Sequence, residues 1–297
     1  MLKQYKNHLL LHFIVFIYGF TGIFGALITI PAVNLVWVRM LIAGICIFLY
    51  LWWKKIDFKD SWPNLLKFTG TGVIVAIHWI FFYEAIKVSN VSVTVACLSS
   101  ATLFTAIIEP LVFKRKLYWY EAIFGLIIMA GLFMIFKVET KYKLGILYTL
   151  FSSFMASLFT VINGTFAKKY DAAKVSAYEM MGGFIAISIY YLIIQVDFSS
   201  LMYIPAMDLL WLLILAVVCT AFAMVTNISV MKELTPYSVT MAINLEPVYS
   251  IILAYWIFGE KEQMTSGFYI GTIVILATIF ANGIIKSRSK KANLTEF

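Results

Sequence analysis

The chain has 297 residues, of which 62% are hydrophobic and only 13% charged, with a mean hydropathy of +0.92. Soluble globular domains carry about 25% charged residues, so a water-soluble fold is excluded and the sequence belongs in a lipid bilayer. The net charge of +8 is spread over short links between apolar runs, which argues against a nucleic-acid partner.

A helix rises about 1.5 Å per residue and must cross about 30 Å of hydrocarbon, so apolar runs near 20 residues are candidate spans. In chain order, ten such runs are predicted: His8 to Ile28, Ala32 to Trp52, Leu65 to Ala85, Val91 to Phe113, Leu117 to Phe136, Leu144 to Ala167, Val175 to Gln195, Met207 to Met231, Pro236 to Phe258 and Met264 to Ile285. The first could be mistaken for a signal peptide because Lys3 and Lys6 flank it. Cleavage would leave an odd set of nine and break the symmetry described below, so it is read as a span. The links are too short for a soluble domain, which places the activity inside the membrane.

Positive residues favour the cytoplasmic side of short loops. With the N-terminus inside, the cytoplasmic segments hold 17 Lys and Arg and the opposite segments hold 5, with Arg39 inside a span. Both termini are therefore expected in the cytoplasm, in a multi-pass protein of the inner membrane. Trp52, Trp53, Trp62, Trp119, Tyr203 and Trp256 near predicted helix ends fit interfacial aromatic belts. Cys46, Cys97 and Cys219 lie in apolar runs without metal-ligand or disulfide spacing, so neither a metal nor a cofactor is expected.

Ten spans divide at "KVETKYK", residues 137 to 143, into units 1–138 and 139–297. At an offset of 146, Ser92, Val93, Thr94 and Ala96 meet Ser238, Val239, Thr240 and Ala242, while Gly125 and Ile127 meet Gly271 and Ile273. "VWVRMLIAG" in the second span lines up with "SAYEMMGGF" in the seventh. Five is odd, so the second unit enters the bilayer from the opposite side. The expected fold is thus an all-α membrane protein of ten helices built as two inverted five-helix repeats, an arrangement suited to alternating access around a midplane site.

The stretch "INLEPVYSIILAYWIFGEKEQMTSGFYIGTIVILA", with its E-P pair and its "GE" before the last span, resembles EamA-type transporters of the drug/metabolite transporter superfamily. Pro31, Arg39 and Ala43 similarly resemble that family's second helix. In the first half the pattern is weaker, since Ser100 and Ala101 stand where the second half has Glu246 and Pro247. The resemblance implies a ten-helix inner-membrane carrier, commonly an exporter of amino acids or small metabolites.

Candidate site residues are the polar groups that fall near mid-bilayer, where they are expensive and tend to mark a pathway. Glu246 lies ten residues after Pro236, about 15 Å deep, and Pro247 beside it removes the N–H that would bond the Ile243 carbonyl. A kink and a proton- or ammonium-binding carboxyl group are expected there. His78, beside Trp79 and Tyr83, lies roughly 20 Å into the third span. Ser99 and Thr102 share one helix face, as do Thr240 and Asn244, and Tyr18 and Asn227 are placed by similar reasoning. Arg39 and Glu179 occupy matching positions of the two units but differ in depth by roughly 12 Å, too far for an ion pair. Arg39 is therefore expected to be a structural or gate residue toward one end of its span. Glu109 and Pro110 are expected at a solvated helix end.

These residues point to a secondary transporter for a small neutral or zwitterionic metabolite, an amino acid or related compound, with protons as a possible coupled ion. Lacking a cluster of Lys and Arg, the spans offer no clamp for a phosphorylated substrate. The alternatives are an importer or channel of the same architecture, or an intramembrane enzyme. Catalysis would need a base, nucleophile or metal constellation, and no such motif is present.

Overall fold

The computed structural model describes residues 2–114, 119–196 and 203–295, which are helical apart from short connections. The helices are α1 (Leu2–Leu27), α2 (Ala32–Trp53), α3 (Trp62–Val88), α4 (Val91–Leu98), α5 (Ala101–Phe113), α6 (Trp119–Val138), α7 (Lys143–Phe166), α8 (Ala172–Ile193), α9 (Ala206–Ala216), α10 (Ala223–Val230), α11 (Pro236–Ile243), α12 (Glu246–Phe258) and α13 (Ser266–Thr295). Among the described residues, eight helical stretches are long and apolar enough to cross a membrane, and two shorter apolar ones cover Ile123–Val138 and Ser266–Ala281. Lys3, Lys6, Arg115, Lys116, Lys286, Arg288, Lys290 and Lys291, which belong to the charge count above, and Trp119 of the belts lie outside the residues whose side chains are described.

The surface is apolar, as lipid requires. Leu49, Leu111, Phe133, Ile193 and Ile273 are exposed, while Thr94, Thr149, Ser152 and Glu179 are buried. Exposed Trp52, Trp53, Trp62, Tyr203 and Trp256 sit at or near helix ends. Three helix starts carry side-chain caps. Asn90 accepts from Val93 N at 2.9 Å, Asp171 from Ala173 N at 2.9 Å, and Thr235 from Ser238 N at 3.2 Å with Pro236 in the first turn.

Two predicted spans are interrupted at mid-length. Val91 to Phe113 divides into eight residues, a two-residue break at Ser99 and Ser100, and thirteen residues; Pro236 to Phe258 divides into eight, a break at Asn244 and Leu245, and thirteen. Both end in left-handed backbone, Lys114 at φ 52° and Gly259 at φ 61°. The shift that matches these segments is 145, from Val91 to Pro236 and from Lys114 to Gly259, one less than the "SVT" match. A one-residue slip turns a helix face by about 100°. A third interruption separates α9 from α10, a widened turn over residues 217–222 in which the Thr220 hydroxyl bonds the Leu215 carbonyl at 2.7 Å.

The bundle closes where small residues let backbones meet. A methyl group on Gly72 of α3 would collide with the backbone carbonyl of Glu179 on α8, and one on Gly182 of α8 with that of Thr69 on α3. Gly70, in the same helix as Gly72, faces open space. Gly72→Ala is therefore expected to destabilise the purified protein by about 1–3 kcal/mol through overpacking. Gly70→Ala should be neutral or stabilising by up to about 1 kcal/mol from helix propensity. Equal unfolding midpoints for the two variants would contradict this packing.

Candidate functional site

A cavity of about 100 Å³ lies among α1, α2, α3, α4, α7, α10, α11, α12 and the widened turn. Pockets for drug-sized ligands run to roughly 300–1,000 Å³, so this one suits a small solute. Its polar lining comes from Tyr18, Thr21, Arg39, His78, Thr160 and Thr220, joined by Asn227, Thr240 and Glu246. Trp79, Phe82, Phe159, Cys219 and Met224 supply much of its apolar wall.

Glu246 reaches the cavity because the helix breaks just before it. Asn244 N turns from the Thr240 carbonyl, four residues back, to that of Met241 at 3.3 Å, and Leu245 N bonds Ala242 O at 3.1 Å. The Asn244 side-chain amide takes over the Thr240 carbonyl at 2.9 Å and also donates to Thr102 at the start of α5. Pro247, with no N–H to offer Ile243, fits the first turn of the resumed helix. The kink expected at Pro247 is thus a two-residue break at Asn244 and Leu245. At its far side the Glu246 carboxyl is buried, with Thr21 Oγ1 at 3.5 Å from Oε1 and no other hydrogen-bond partner among the described residues.

Arg39, the eighth residue of α2, stands on the wall of the same cavity. Its Nε donates to Thr220 at 2.6 Å, its Nη1 to the Tyr83 hydroxyl, and its Cζ lies 3.7 Å above the Trp79 ring. The guanidinium thus joins α2 to α3 and to the widened turn, stacked as Arg prefers. Nη2 has no hydrogen-bond partner among the described residues, and Arg39 forms no ion pair with Glu246 or Glu179. A cation and an acid therefore face one small cavity without a direct ion pair between them.

His78 lines the cavity with its Nδ1 held by Ser152, at 2.8 Å from Oγ and 3.0 Å from the carbonyl oxygen. Of the residues predicted for the site, Tyr18, His78, Trp79, Asn227, Thr240 and Glu246 line the cavity. Tyr83, Ser99, Thr102, Asn244 and Pro247 lie behind the wall, where Tyr83 holds Arg39 and Thr102 pairs with Asn244. Glu109 is buried, not solvated, and its Oε2 accepts from Tyr237 N at 3.1 Å. Thr21, Thr160, Cys219 and Thr220 were not singled out by the sequence. A lone Ser, Thr or Cys in an apolar run carries no signal of which way it faces.

A model of the EamA-like transporter family matches this chain twice, over residues 6–137 and 143–284. An uncharacterized transporter of Archaeoglobus fulgidus is 24% identical over 286 residues, covering 93% of this chain and 96% of its own. A crystal structure of another protein shares the fold at a TM-score of 0.69 with 13% identity, covering 92% of this chain and 96% of that one.

The bond between Asn244 and Thr102 is testable apart from any activity. Interhelical hydrogen bonds in membranes contribute about 0.6 kcal/mol on average and up to about 1.7. A double-mutant cycle of Asn244→Ala and Thr102→Ala, read by unfolding in mixed detergent, should give a coupling in that range. Strict additivity of the two losses would show that the breaks do not support each other.

Proposed function

Since the chain belongs to the EamA-like transporter family, we propose that this membrane transporter moves a small zwitterionic or neutral metabolite, an amino acid or close relative, outward across the inner membrane by alternating access. The observation that carries this reading is the unpaired couple of Arg39 and Glu246 on one cavity of about 100 Å³. A substrate carboxylate would meet Arg39 Nη2 and a substrate ammonium would meet Glu246, each by a charge-assisted hydrogen bond. Trp79, Phe82 and Phe159 would contact the side chain. In the empty cycle, Glu246 would hold a proton in place of the ammonium.

The inverted-repeat reading, with units 1–138 and 139–297 and ten spans, is supported by three observations. The family model matches once in each unit. The fourth and ninth spans share the pattern of eight, two and thirteen residues. The two shorter apolar helices, Ile123–Val138 and Ser266–Ala281, occupy corresponding last positions of the two units and pack together through Gly131 and Gly271. In such carriers, discontinuous helices bound the substrate site.

Inside-out vesicles holding the protein, given a mixed pool of amino acids and metabolites and analysed by mass spectrometry, should accumulate small amino acids. Glu246→Gln keeps shape but removes the charge and should lower that uptake by about 10- to 100-fold, matching roughly 1.5–3 kcal/mol for a charged hydrogen bond. Arg39→Gln should reduce uptake of an amino acid more than that of the amine lacking its carboxylate. Wild-type uptake in Glu246→Gln, or equal losses for acid and amine in Arg39→Gln, would defeat the zwitterion reading.

Orientation gives a separate expectation. Tags placed after Phe297 and within "KKIDFKD", residues 54–60, should both resist protease added outside intact spheroplasts, given the charge asymmetry of 17 to 5. Cleavage of either tag from outside would reverse the direction assigned to the chain.

A further inference from the structure

Glu179 of α8 is fully buried, and neither of its carboxyl oxygens has a hydrogen-bond partner among the described residues. The side-chain amide of Asn163, on α7, lies beside it, yet Asn163 Oδ1 is also without a partner, as is Ser176 Oγ one turn earlier on α8. None of these groups lines the cavity, and Asn163 is one turn past the lining residue Thr160 on α7. The backbone of Glu179 also forms the close contact with Gly72 on α3, the helix that carries His78 and Trp79 into the cavity.

Among the described residues, no charged group compensates this carboxyl. On α2, Arg39 is engaged by Thr220, Tyr83 and Trp79; on α3, Lys67 is exposed and His78 is bonded to Ser152. Glu84 and Lys87 are about three and four turns beyond Gly72 on α3, and α10 has no ionisable side chain. On α7, Lys143 and Tyr148 are several turns from Asn163; on α8 itself, Lys174 contacts Asp60 and the Lys59 carbonyl, Tyr178 bonds the Phe58 carbonyl, and Tyr190 and Tyr191 lie three turns on.

A buried ionised carboxylate without donors is among the costliest groups a protein can hold. A protonated one has an O–H to give, and an amide can answer either form: its oxygen accepts from the acid, and after a flip its NH2 donates to the carboxylate. We propose that Glu179 is a proton-binding site separate from the substrate cavity, with Asn163 as the partner that serves both protonation states. Uptake forms one O–H bond at the expense of a hydronium ion, and release returns the proton to water. Its use as the coupling proton, moved as α8 shifts against α3, rests on the transport reading above; the site itself does not.

The test needs no transport substrate. Infrared difference spectra of the reconstituted full chain, taken between about pH 5 and 9 where a buried glutamic acid titrates, should contain a carboxylic-acid carbonyl band. That band should vanish in Glu179→Gln, persist in Glu246→Gln, and change frequency in Asn163→Val, which removes the acceptor. If Glu179→Gln does not fold, the Asn163→Val shift decides. A band unaffected by Glu179→Gln or Asn163→Val, one that does not titrate in this window, or one abolished by sodium at fixed pH would overturn the proposal. Loss of amino-acid uptake with this titration intact would instead count against the transport reading alone.

Discussion

Backbone that leaves a helix inside a bilayer must find its hydrogen bonds within the protein, and the arrangement around the cavity follows from how two such departures are satisfied. At the first break, α7 supplies the donors: Ser157 Oγ bonds the Ala101 carbonyl at 2.7 Å and Ser153 Oγ reaches that of Leu98 at 3.4 Å. At the second, Asn244 bonds its own Thr240 carbonyl and then crosses to Thr102 beside the first break. Each interruption thus stabilises the other, and the chain delivers Glu246 to the centre without unsatisfied backbone at Thr240. Ser153 and Ser157 of α7 both serve this end.

The same two helical rods are held at their outer ends by carboxylates from one another. Glu262, just past α12, accepts from Val91 N at 3.0 Å and Ser92 N at 2.9 Å, the orphan donors at the start of α4. Glu109, in α5, accepts from Tyr237 N at the start of α11. Negative groups at helix N-termini are favoured by the macrodipole as well as by the bonds. The rods therefore form a pair clamped at both ends and in the middle, against which Arg39 on α2 and His78 on α3 close the cavity.

Much of this was legible in the sequence, and the gaps have physical causes. Run length and hydropathy located the helices, and Pro247 placed a disruption beside Glu246, because proline removes a donor wherever it stands. The Ser99 and Ser100 break carries no proline or glycine and depends on donors from α7, Ser153 to Leu98 O and Ser157 to Ala101 O, which lie 55 and 56 residues away in the chain. Arg39 was placed by counting rise from a helix end, but its long side chain extends the reach of the backbone toward Thr220 and Tyr83. The "SVT" match has an offset of 146 whereas the two interrupted helices match at 145, because three shared letters in so apolar a chain do not fix a helix register. Glu109 looked solvated only because its cap partner, Tyr237 N, lies in the other half of the chain.

The central claim is that Arg39 and Glu246 wait unpaired for the two ends of one small zwitterion. The direct measurement is the thermal unfolding of purified protein with single compounds: an amino acid, its methyl ester and its decarboxylated amine. A solute that binds only the folded state stabilises it by about 2.7 kcal/mol at a hundredfold excess over Kd. The account predicts a concentration-dependent rise for the amino acid, a much smaller one for ester and amine, and no rise for the amino acid in Glu246→Gln. Equal stabilisation by all three compounds, or an undiminished rise in Glu246→Gln, would contradict it.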